Sequence, residues 1–267
     1  MEALLRYDQV DISFGGKPVV QDISFTLHKG EILGLVGESG SGKSTIIKAA
    51  MGLLGKNGLV TRGDIRFDGY NIPDLSEAQL RHIRGGKISM IFQDAGASLC
   101  PIRTIGDQIY ESMAAHGSIS KEEARNAAME LFSQLRFQDP DRIWNSYPFE
   151  LSGGMNQRIG IAIAMLMNPS VLLADEPTSA LDVLVQRQVV QEMMSLRELF
   201  GTAIIMVSHD IGVVSAMADT VMVLQNGRCM EYGPAKEVLE NPQNAYTQKL
   251  LSAVPRLRRP ERRTKIN

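Results

Sequence analysis

The sequence has little cysteine and tryptophan and no excess of either charge. Its 267 residues include two cysteines and one tryptophan. Cys100 and Cys229 form neither a disulfide framework nor a metal-ligand spacing, so we expect two free thiols. Lys and Arg number 28 against 30 Asp and Glu, for a net charge of −2. This balance gives no electrostatic reason to expect nucleic acid as a partner.

A long apolar run is also missing. A helix that crosses a membrane needs about 20 apolar residues in a row. The longest candidate, residues 159–174, is interrupted by Asn168 and Pro169. The first six residues have neither the basic region nor the apolar run of a signal peptide. We therefore expect no membrane span and no signal peptide in this sequence.

Four short apolar runs predict buried strands. They cover residues 32–36, 88–92, 171–174 and 203–207, and each ends abruptly in polar or glycine-rich residues. Continuous apolar runs of this length, separated by helical segments, favour a parallel sheet covered on both faces, which is the α/β class. Ligands of such sheets bind just beyond the carboxyl ends of the strands. We therefore expect the four segments that follow these strands to converge on one site.

The N-terminal part follows a different pattern. Residues 5–7 and 19–27 are predicted to be hairpin strands, with Gly15–Gly16 between them. Residues 64–67 are a further predicted strand, which ends at the turn signal Asp68–Gly69. These strands indicate an antiparallel part that precedes the parallel sheet.

The middle of the chain, about residues 96–165, is predicted to be helical. Ser120 followed by Glu123 is a capping-box pattern ahead of an amphipathic stretch, and residues 104–115 are another helical candidate. At the other end, residues 256–267 carry five arginines and one lysine against one glutamate. We expect this tail to be a solvated, mobile terminus, with weak attraction to anionic lipid or RNA as the alternative.

The clearest motif, G-x-x-x-x-G-K-S, follows the first buried strand and precedes a helix predicted over residues 45–54. Its members, with the residue that follows them, are Gly37, Glu38, Ser39, Gly40, Ser41, Gly42, Lys43, Ser44 and Thr45. Glycines let successive backbone N–H groups face phosphate oxygens, and the helix adds its positive end. Lys43 can reach the terminal phosphates, and the Ser44 hydroxyl can bind Mg²⁺. The motif predicts a nucleoside triphosphate site.

Two acidic residues follow the third buried strand. Asp175 ends the strand and Glu176 comes next. A carboxylate at this edge can hold Mg²⁺ through water, and its neighbour can orient and polarise an attacking water. The alternative is a pair of acidic residues that only open a loop. The phosphate motif favours the catalytic interpretation.

With the sequence Leu-Ser-Gly-Gly-Met-Asn-Gln-Arg at residues 151–158, the chain resembles the ATP-binding subunits of ABC transporters along nearly its whole length. The phosphate motif, this signature and the acidic pair occur in that family's order. The resemblance implies a P-loop, RecA-like core with a mainly parallel sheet, an N-terminal antiparallel β subdomain and an inserted α-helical signature subdomain. The expected bounds are an ATPase cassette at 1–255, with its core at about 1–95 and 166–240 and the helical subdomain at about 96–165, and then the tail.

The resemblance also assigns single residues. Gln93 looks like the Q-loop glutamine, Asp182 lies in what looks like the D-loop, and His209 looks like the switch histidine. Phe14 looks like the aromatic that stacks on adenine, with Tyr7 and Phe25 as rival candidates. The residues similar to the signature are Ser152, Gly153, Gly154 and Gln157.

This family membership would imply ATP and Mg²⁺ as cofactors and a head-to-tail dimer of cassettes. The signature residues would then contact ATP held by the partner's phosphate loop, and Asp182 would act across the interface. Glu176 would be the general base. Lys43 and His209 would contact the terminal phosphates, and Mg²⁺ would be held by Ser44, Gln93 and Asp175.

The implied partners are a second ATPase subunit, either a paralogue or a second copy, and two transmembrane permease subunits. An extracytoplasmic substrate-binding protein is expected indirectly, and the chain would work at the cytoplasmic face of the cell membrane. Within the family, the chain is most similar to the subunits of peptide and nickel importers. The similar parts are the phosphate motif and residues 90–109 and 241–255, and they imply the class of cargo. Many peptide-importer subunits carry a longer, cysteine-containing C-terminus, so the ending here favours a nickel or metal-chelate importer over a di- or oligopeptide importer.

Three other classes of protein are alternatives to an importer ATPase. They are an exporter ATPase, a soluble ABC ATPase that acts on ribosomes or DNA, and a regulatory subunit without turnover. The single set of motifs and the slightly negative charge disfavour the soluble class. Glu176 and His209 are both present, which disfavours a subunit without turnover.

Overall fold

The computed structural model describes residues 2–93, 95–179 and 181–253, so the basic tail lies outside the described residues. The strands are β1 (Ala3–Phe14), β2 (Lys17–His28), β3 (Ile32–Gly37), β4 (Gly58–Phe67), β5 (Tyr70–Asn71), β6 (Ile88–Ile91), β7 (Val171–Asp175), β8 (Ala203–Val207), β9 (Thr220–Gln225) and β10 (Arg228–Pro234). The helices are α1 (Lys43–Ala50), α2 (Glu77–Ile83), α3 (Ala95–Ser98), α4 (Ile105–Ala114), α5 (Lys121–Gln134), α6 (Pro140–Asn145), α7 (Gly153–Met165), α8 (Val183–Phe200), α9 (Ile211–Met217), α10 (Ala235–Glu240) and α11 (Ala245–Ser252).

The larger sheet confirms the α/β class. Its strand order is β10-β9-β3-β8-β7-β6, and the four predicted buried strands pair in parallel. Every residue of β3, β7 and β8 is buried, as expected for strands covered on both faces. Two strands of this sheet were not predicted from the sequence. β9 extends the parallel set beside β3, and β10 closes that edge as an antiparallel hairpin strand.

The smaller sheet is antiparallel, with the order β2-β1-β4-β5. The predicted N-terminal hairpin is confirmed, but its strands are longer than expected, at 12 residues each. Both residues of the Asp68–Gly69 turn have positive φ angles, 50° and 80°, which suits a tight hairpin. This sheet and α1 pack on one face of the larger sheet, whereas the helices from α4 to α8 pack on the other.

The predicted helix over residues 45–54 is wrong at both ends. Helix α1 begins at Lys43, so Lys43 and Ser44 belong to its first turn. It ends at Ala50 because Met51 caps it and Gly52 takes a positive φ of 61°. The lysine and the serine of the phosphate motif are therefore held by helical backbone rather than by a loop.

The helical insert contains the elements α3 to α7. The capping box of Ser120 and Glu123 at the start of α5 is confirmed, and Thr104 caps α4. Close packing inside the insert depends on Gly106, where a Cβ atom would lie 2.4 Å from Trp144 Cε2. The boundaries expected for core and insert stay predictions. In the described part of the chain, no helix combines the length and the apolar character needed to cross a membrane.

Cys229 in β10 gives a test of this packing. Burial raises the pKa of its thiol to about 11. Because alkylation proceeds through the thiolate, we expect Cys229 in a Cys100→Ser background to react with iodoacetamide about 100-fold more slowly at pH 8 than a free cysteine. The rate should rise roughly tenfold per pH unit between pH 8 and 10. Mass spectrometry of the folded and the urea-unfolded protein measures both rates, and a plateau by pH 9 would contradict the prediction.

Candidate nucleotide site

The phosphate loop connects the carboxyl end of β3 to the start of α1. Its glycines take positive φ angles of 148° at Gly37, 79° at Gly40 and 99° at Gly42, which other residues rarely adopt. At Gly37 a Cβ atom would also lie 2.2 Å from the carbonyl oxygen of Leu224. The Ile46 N–H donates to the Gly42 carbonyl at 3.0 Å, as part of the first turn of α1. The N–H groups before it therefore have no intrahelical partner and suit an anion.

The loop presents an exposed side and a buried side. Glu38, Ser39 and Gly40 are exposed, and Ser44 and Thr45 are half-buried, whereas the buried members are Gly37, Ser41, Gly42 and Lys43. A phosphate chain that binds on the exposed side would therefore meet backbone donors and the end of a buried lysine.

Lys43 folds back onto the loop. Its Nζ donates to the carbonyl oxygens of Gly37, at 2.8 Å, and Glu38, at 2.7 Å. Burial lowers the pKa of Lys43, and the carboxylates of Glu176 and Asp175 oppose that shift. Lys43 is thus a buried cation beside two acidic residues, held by hydrogen bonds to backbone carbonyls. Phosphate oxygens can replace these carbonyls as its acceptors.

Ser44, in the first turn of α1, meets Asp175 at the end of β7. The Ser44 hydroxyl donates to Asp175 Oδ1 at 2.8 Å. Burial raises the pKa of Asp175, and the bond from Ser44 opposes the rise. Within residues 2–93, 95–179 and 181–253, no three His, Cys, Asp or Glu side chains group as metal ligands. One carboxylate and one hydroxyl fit Mg²⁺, which takes its other ligands from phosphates and water.

Glu176 lies at the centre of the second cluster. Its φ is 49°, uncommon for glutamate, and its N–H donates to the Val207 carbonyl at 2.9 Å. Gln93 Nε2 donates to Glu176 Oε2 at 3.4 Å. His209 Nδ1 lies 3.3 Å from the same oxygen. The structure therefore brings the ends of β6, β7 and β8 together at one carboxylate.

A cavity of about 180 Å³ opens beside this cluster, lined in part by Glu176, Ser179 and His209. Residues that line this cavity form a hydrogen bond that was not predicted from the sequence. Gln186 Nε2, in α8, donates to Asp210 Oδ2 at 2.7 Å. Asp210 also caps α9 through the N–H of Gly212, at 2.8 Å. Helix α8 is thus bonded directly to the residue that follows His209.

The signature residues form the start of α7. Ser152 caps the helix by accepting from the Met155 N–H at 3.2 Å, and Ser152 and Gly153 are exposed. Gly154 must stay small, because a Cβ atom there would lie 2.6 Å from Val185 Cγ1. Helix α7 therefore begins inside the signature, at Gly153, and its exposed N-terminus faces solvent.

Gln157 has a different placement from the other signature residues. Its side chain is 6% exposed, and its Nε2 donates to the Pro177 carbonyl at 2.8 Å. This bond joins α7 to the segment that follows Glu176. The expected contact of Gln157 with a partner's nucleotide stays a prediction.

Asp182 caps α8, accepting from the N–H groups of Leu184 and Val185, each at 3.0 Å. The two residues that follow it carry exposed apolar side chains, with Val183 70% and Leu184 77% exposed. The D-loop segment therefore presents one carboxylate and two apolar side chains on the surface.

The structure separates the three candidate adenine-stacking aromatics. Tyr7 and Phe25 are buried and stack on each other with ring centroids 4.5 Å apart. The Tyr7 hydroxyl donates to the Ile46 carbonyl in α1 at 2.7 Å. Phe14 is half-buried at the end of β1, against Gly58, where a Cβ atom would lie 2.9 Å from Phe14 Cε1. Of the three side chains, only that of Phe14 is partly exposed.

Fold and site together define a P-loop nucleotide-binding ATPase. Residues 20–179 match the ABC transporter family model, and residues 230–267 match the family described as "Oligopeptide/dipeptide transporter, C-terminal region". The chain belongs to the ABC transporter family, as one of its ATP-binding subunits.

Similar proteins agree with this assignment. The chain is 44% identical to the oligopeptide transport ATP-binding protein OppD of Salmonella typhimurium, over 95% of this chain and 77% of that protein. It is 43% identical to the metal-staphylopine import system ATP-binding protein CntD of Staphylococcus aureus, over 88% of this chain and 87% of that protein. A solved dimeric ATP-binding cassette in a post-hydrolysis state, bound to ADP and Pi, has a TM-score of 0.75 and 28% identity, and the match covers 87% of this chain and 99% of that one.

Proposed function

We propose that this chain binds and hydrolyses ATP to power an importer in the cytoplasmic membrane, working at its cytoplasmic face. The observation that carries the proposal is the convergence of the phosphate loop, the Ser44–Asp175 pair and the Glu176 cluster at one sheet edge. Membership of the ABC transporter family supports the coupling of hydrolysis to transport.

In this proposal the phosphate loop holds the triphosphate. Backbone N–H groups at the start of α1 donate to phosphate oxygens, and Lys43 exchanges its two carbonyl acceptors for the β- and γ-phosphates. Ser44 and Asp175, with Gln93 nearby, would hold Mg²⁺. When bound, this ion neutralises charge that develops on the phosphates. Phe14 stacks on the adenine ring.

Glu176 would be the general base. Its carboxylate would accept a proton from the attacking water as the water oxygen bonds to the γ-phosphorus, while the bond from the γ-phosphorus to the bridging oxygen breaks and ADP leaves. Gln93 and His209, which both contact Glu176 Oε2, orient the carboxylate and the water. The positive φ of Glu176 and its bond to Val207 support a fixed position for the base.

In this proposal the exposed signature acts on a second cassette. Ser152, Gly153 and Gly154 at the N-terminus of α7 would donate to the γ-phosphate of ATP held by the partner's phosphate loop. Asp182 would act across the same interface. The dimeric solved structure supports this arrangement. Gln157 would instead couple α7 to the Glu176 segment through Pro177.

The permease pair and an extracytoplasmic binding protein would complete the importer and select its cargo. Identities of 44% to an oligopeptide system and 43% to a metal-staphylopine system support either cargo class equally. The expected preference for nickel over peptide therefore finds no support in the relatives. Uptake of labelled nickel, with and without a chelating ligand, beside a labelled dipeptide, in cells carrying the wild type or the Glu176→Gln variant distinguishes the classes.

Replacing Lys43 by alanine tests the phosphate site. We expect the variant to lose tight ATP binding, because the phosphates lose their fixed cation, and the change in affinity should be at least about tenfold. Filter binding of labelled ATP measures the loss. The matched control is Lys56→Ala, which removes an exposed lysine just beyond α1. Equal affinity in wild type and Lys43→Ala would argue against the phosphate assignment.

A further inference from the structure

The phosphate loop is bonded to the C-terminal part of the chain at two points. The Gly227 N–H, at the tip of the β9–β10 hairpin, donates to the Ser41 carbonyl at 3.1 Å. The Glu38 N–H donates to the Tyr246 hydroxyl of α11 at 3.4 Å. Tyr246 lies 208 residues after Glu38. Two separate C-terminal elements therefore contact the backbone of the loop.

The second contact acts on the same peptide group as Lys43. The Gly37 carbonyl accepts from Lys43 Nζ at 2.8 Å, and the N–H of the same peptide group, that of Glu38, donates to Tyr246. When a nucleotide binds, Lys43 turns to the phosphates and the carbonyl loses this donor. The Tyr246 bond, on the N–H of this peptide group, does not depend on Lys43 and persists.

Tyr246 is itself firmly anchored. Asn244 Oδ1 accepts from the Tyr246 N–H at 2.8 Å, which caps α11, and Asn244 Nδ2 donates to the Met230 carbonyl at 3.1 Å. The Glu231 carboxylate accepts from the N–H groups of Gln243, at 2.8 Å, and Asn244, at 3.2 Å. Three of these hydrogen bonds fix the start of α11 on β10 and the fourth caps the helix, so the hydroxyl has a defined position.

We propose that Tyr246 is a positioning residue for the nucleotide phosphates. Its hydroxyl holds the exposed Glu38 end of the phosphate loop in the shape that receives the phosphate chain, and it contacts no reacting atom. The proposal rests on the proposed ATPase function. It assigns to the C-terminal helix a part in ATP affinity, and none in the chemical step.

The test is Tyr246→Phe, which removes the hydroxyl and keeps the ring. We expect KM for ATP and Kd for ADP to rise about three- to tenfold, the effect of one lost hydrogen bond, because both nucleotides carry the β-phosphate that the loop cradles. We expect kcat at saturating ATP to stay within about twofold, since Glu176 and its partners are unchanged. Steady-state ATPase assays and ADP titration calorimetry give the three values.

The matched control is Tyr70→Phe, which changes a tyrosine of the antiparallel sheet that is 50% exposed. A KM equal to that of wild type and of the control would overturn the proposal, and so would a fall in kcat with KM unchanged. A lowered melting temperature with unaltered KM and Kd would show a purely structural role and overturn it as well. Absence of ATP binding in the wild type would instead refute the proposed function.

Discussion

Replacing Glu176 by glutamine is expected to lower kcat for ATP hydrolysis by about 10²- to 10⁴-fold, the usual contribution of a general base. The amide keeps the size of the side chain but cannot take the proton of the attacking water. ATP affinity should persist, because the phosphate loop, Lys43 and the Ser44–Asp175 pair are untouched. Hydrolysis would then no longer release a closed dimer.

Two measurements check this expectation. A phosphate-release assay gives kcat, and size exclusion in ATP should show the variant as a stable dimer. The matched control is Glu198→Gln, which makes the same chemical change at an exposed position of α8. Turnover equal to wild type, or a monomer in ATP, would exclude Glu176 as the base.

The second large effect concerns stability. Arg158 of α7 and Glu192 of α8 form an ion pair in which each side chain is only 7% exposed. Arg158 also donates to the Leu135 carbonyl at 2.9 Å, and its guanidinium lies 4.1 Å from the centroid of Phe137. Burial raises the pKa of Glu192, and Arg158 opposes the rise. One side chain thus pairs with one oxygen of a buried carboxylate, donates to a carbonyl and lies over a ring face.

Arg158→Met is expected to lower the free energy of unfolding by about 3–5 kcal/mol, because it leaves a buried carboxylate without its cation. Urea denaturation followed by circular dichroism measures the change. The control is Arg6→Met, which breaks an ion pair whose members are 57% and 45% exposed, and it should cost less than about 1 kcal/mol. The double variant Arg158→Met/Glu192→Met should recover most of the loss. A loss in Arg158→Met no larger than that of the control would contradict this account.

Much of the site could be predicted because its parts are local in sequence. A buried strand followed at once by a glycine-rich or acidic segment is visible in the chain, and parallel pairing then carries four such segments to one edge. This convergence predicts that Ser44 lies near Asp175 and Gln93 near Glu176. It could not find β9, although residues 221–224 are apolar, because no site motif follows that strand.

The remaining contacts depend on tertiary packing that leaves no local pattern. The partners of Gln186 and Tyr246, for example, lie 24 and 208 residues away along the chain. Gln157 shows that the placement of a residue inside a motif can also depend on tertiary packing. Its neighbours at the helix start are exposed, but one further turn of α7 carries it into the core. Helical rotation, rather than motif membership, decides which signature residues reach solvent.

The position of β3 in its sheet has a consequence for biosynthesis. This strand is translated early, yet its two hydrogen-bonding neighbours are β8 and β9, which end at Val207 and Gln225. At 5–20 residues per second, both edges of β3 stay open on the nascent chain for roughly 10 to 40 s. ATP cannot stabilise the chain in this interval, because its binding site has not yet formed. During this interval the strand edge is a site for misassembly, which binding by the ribosome or a chaperone would prevent.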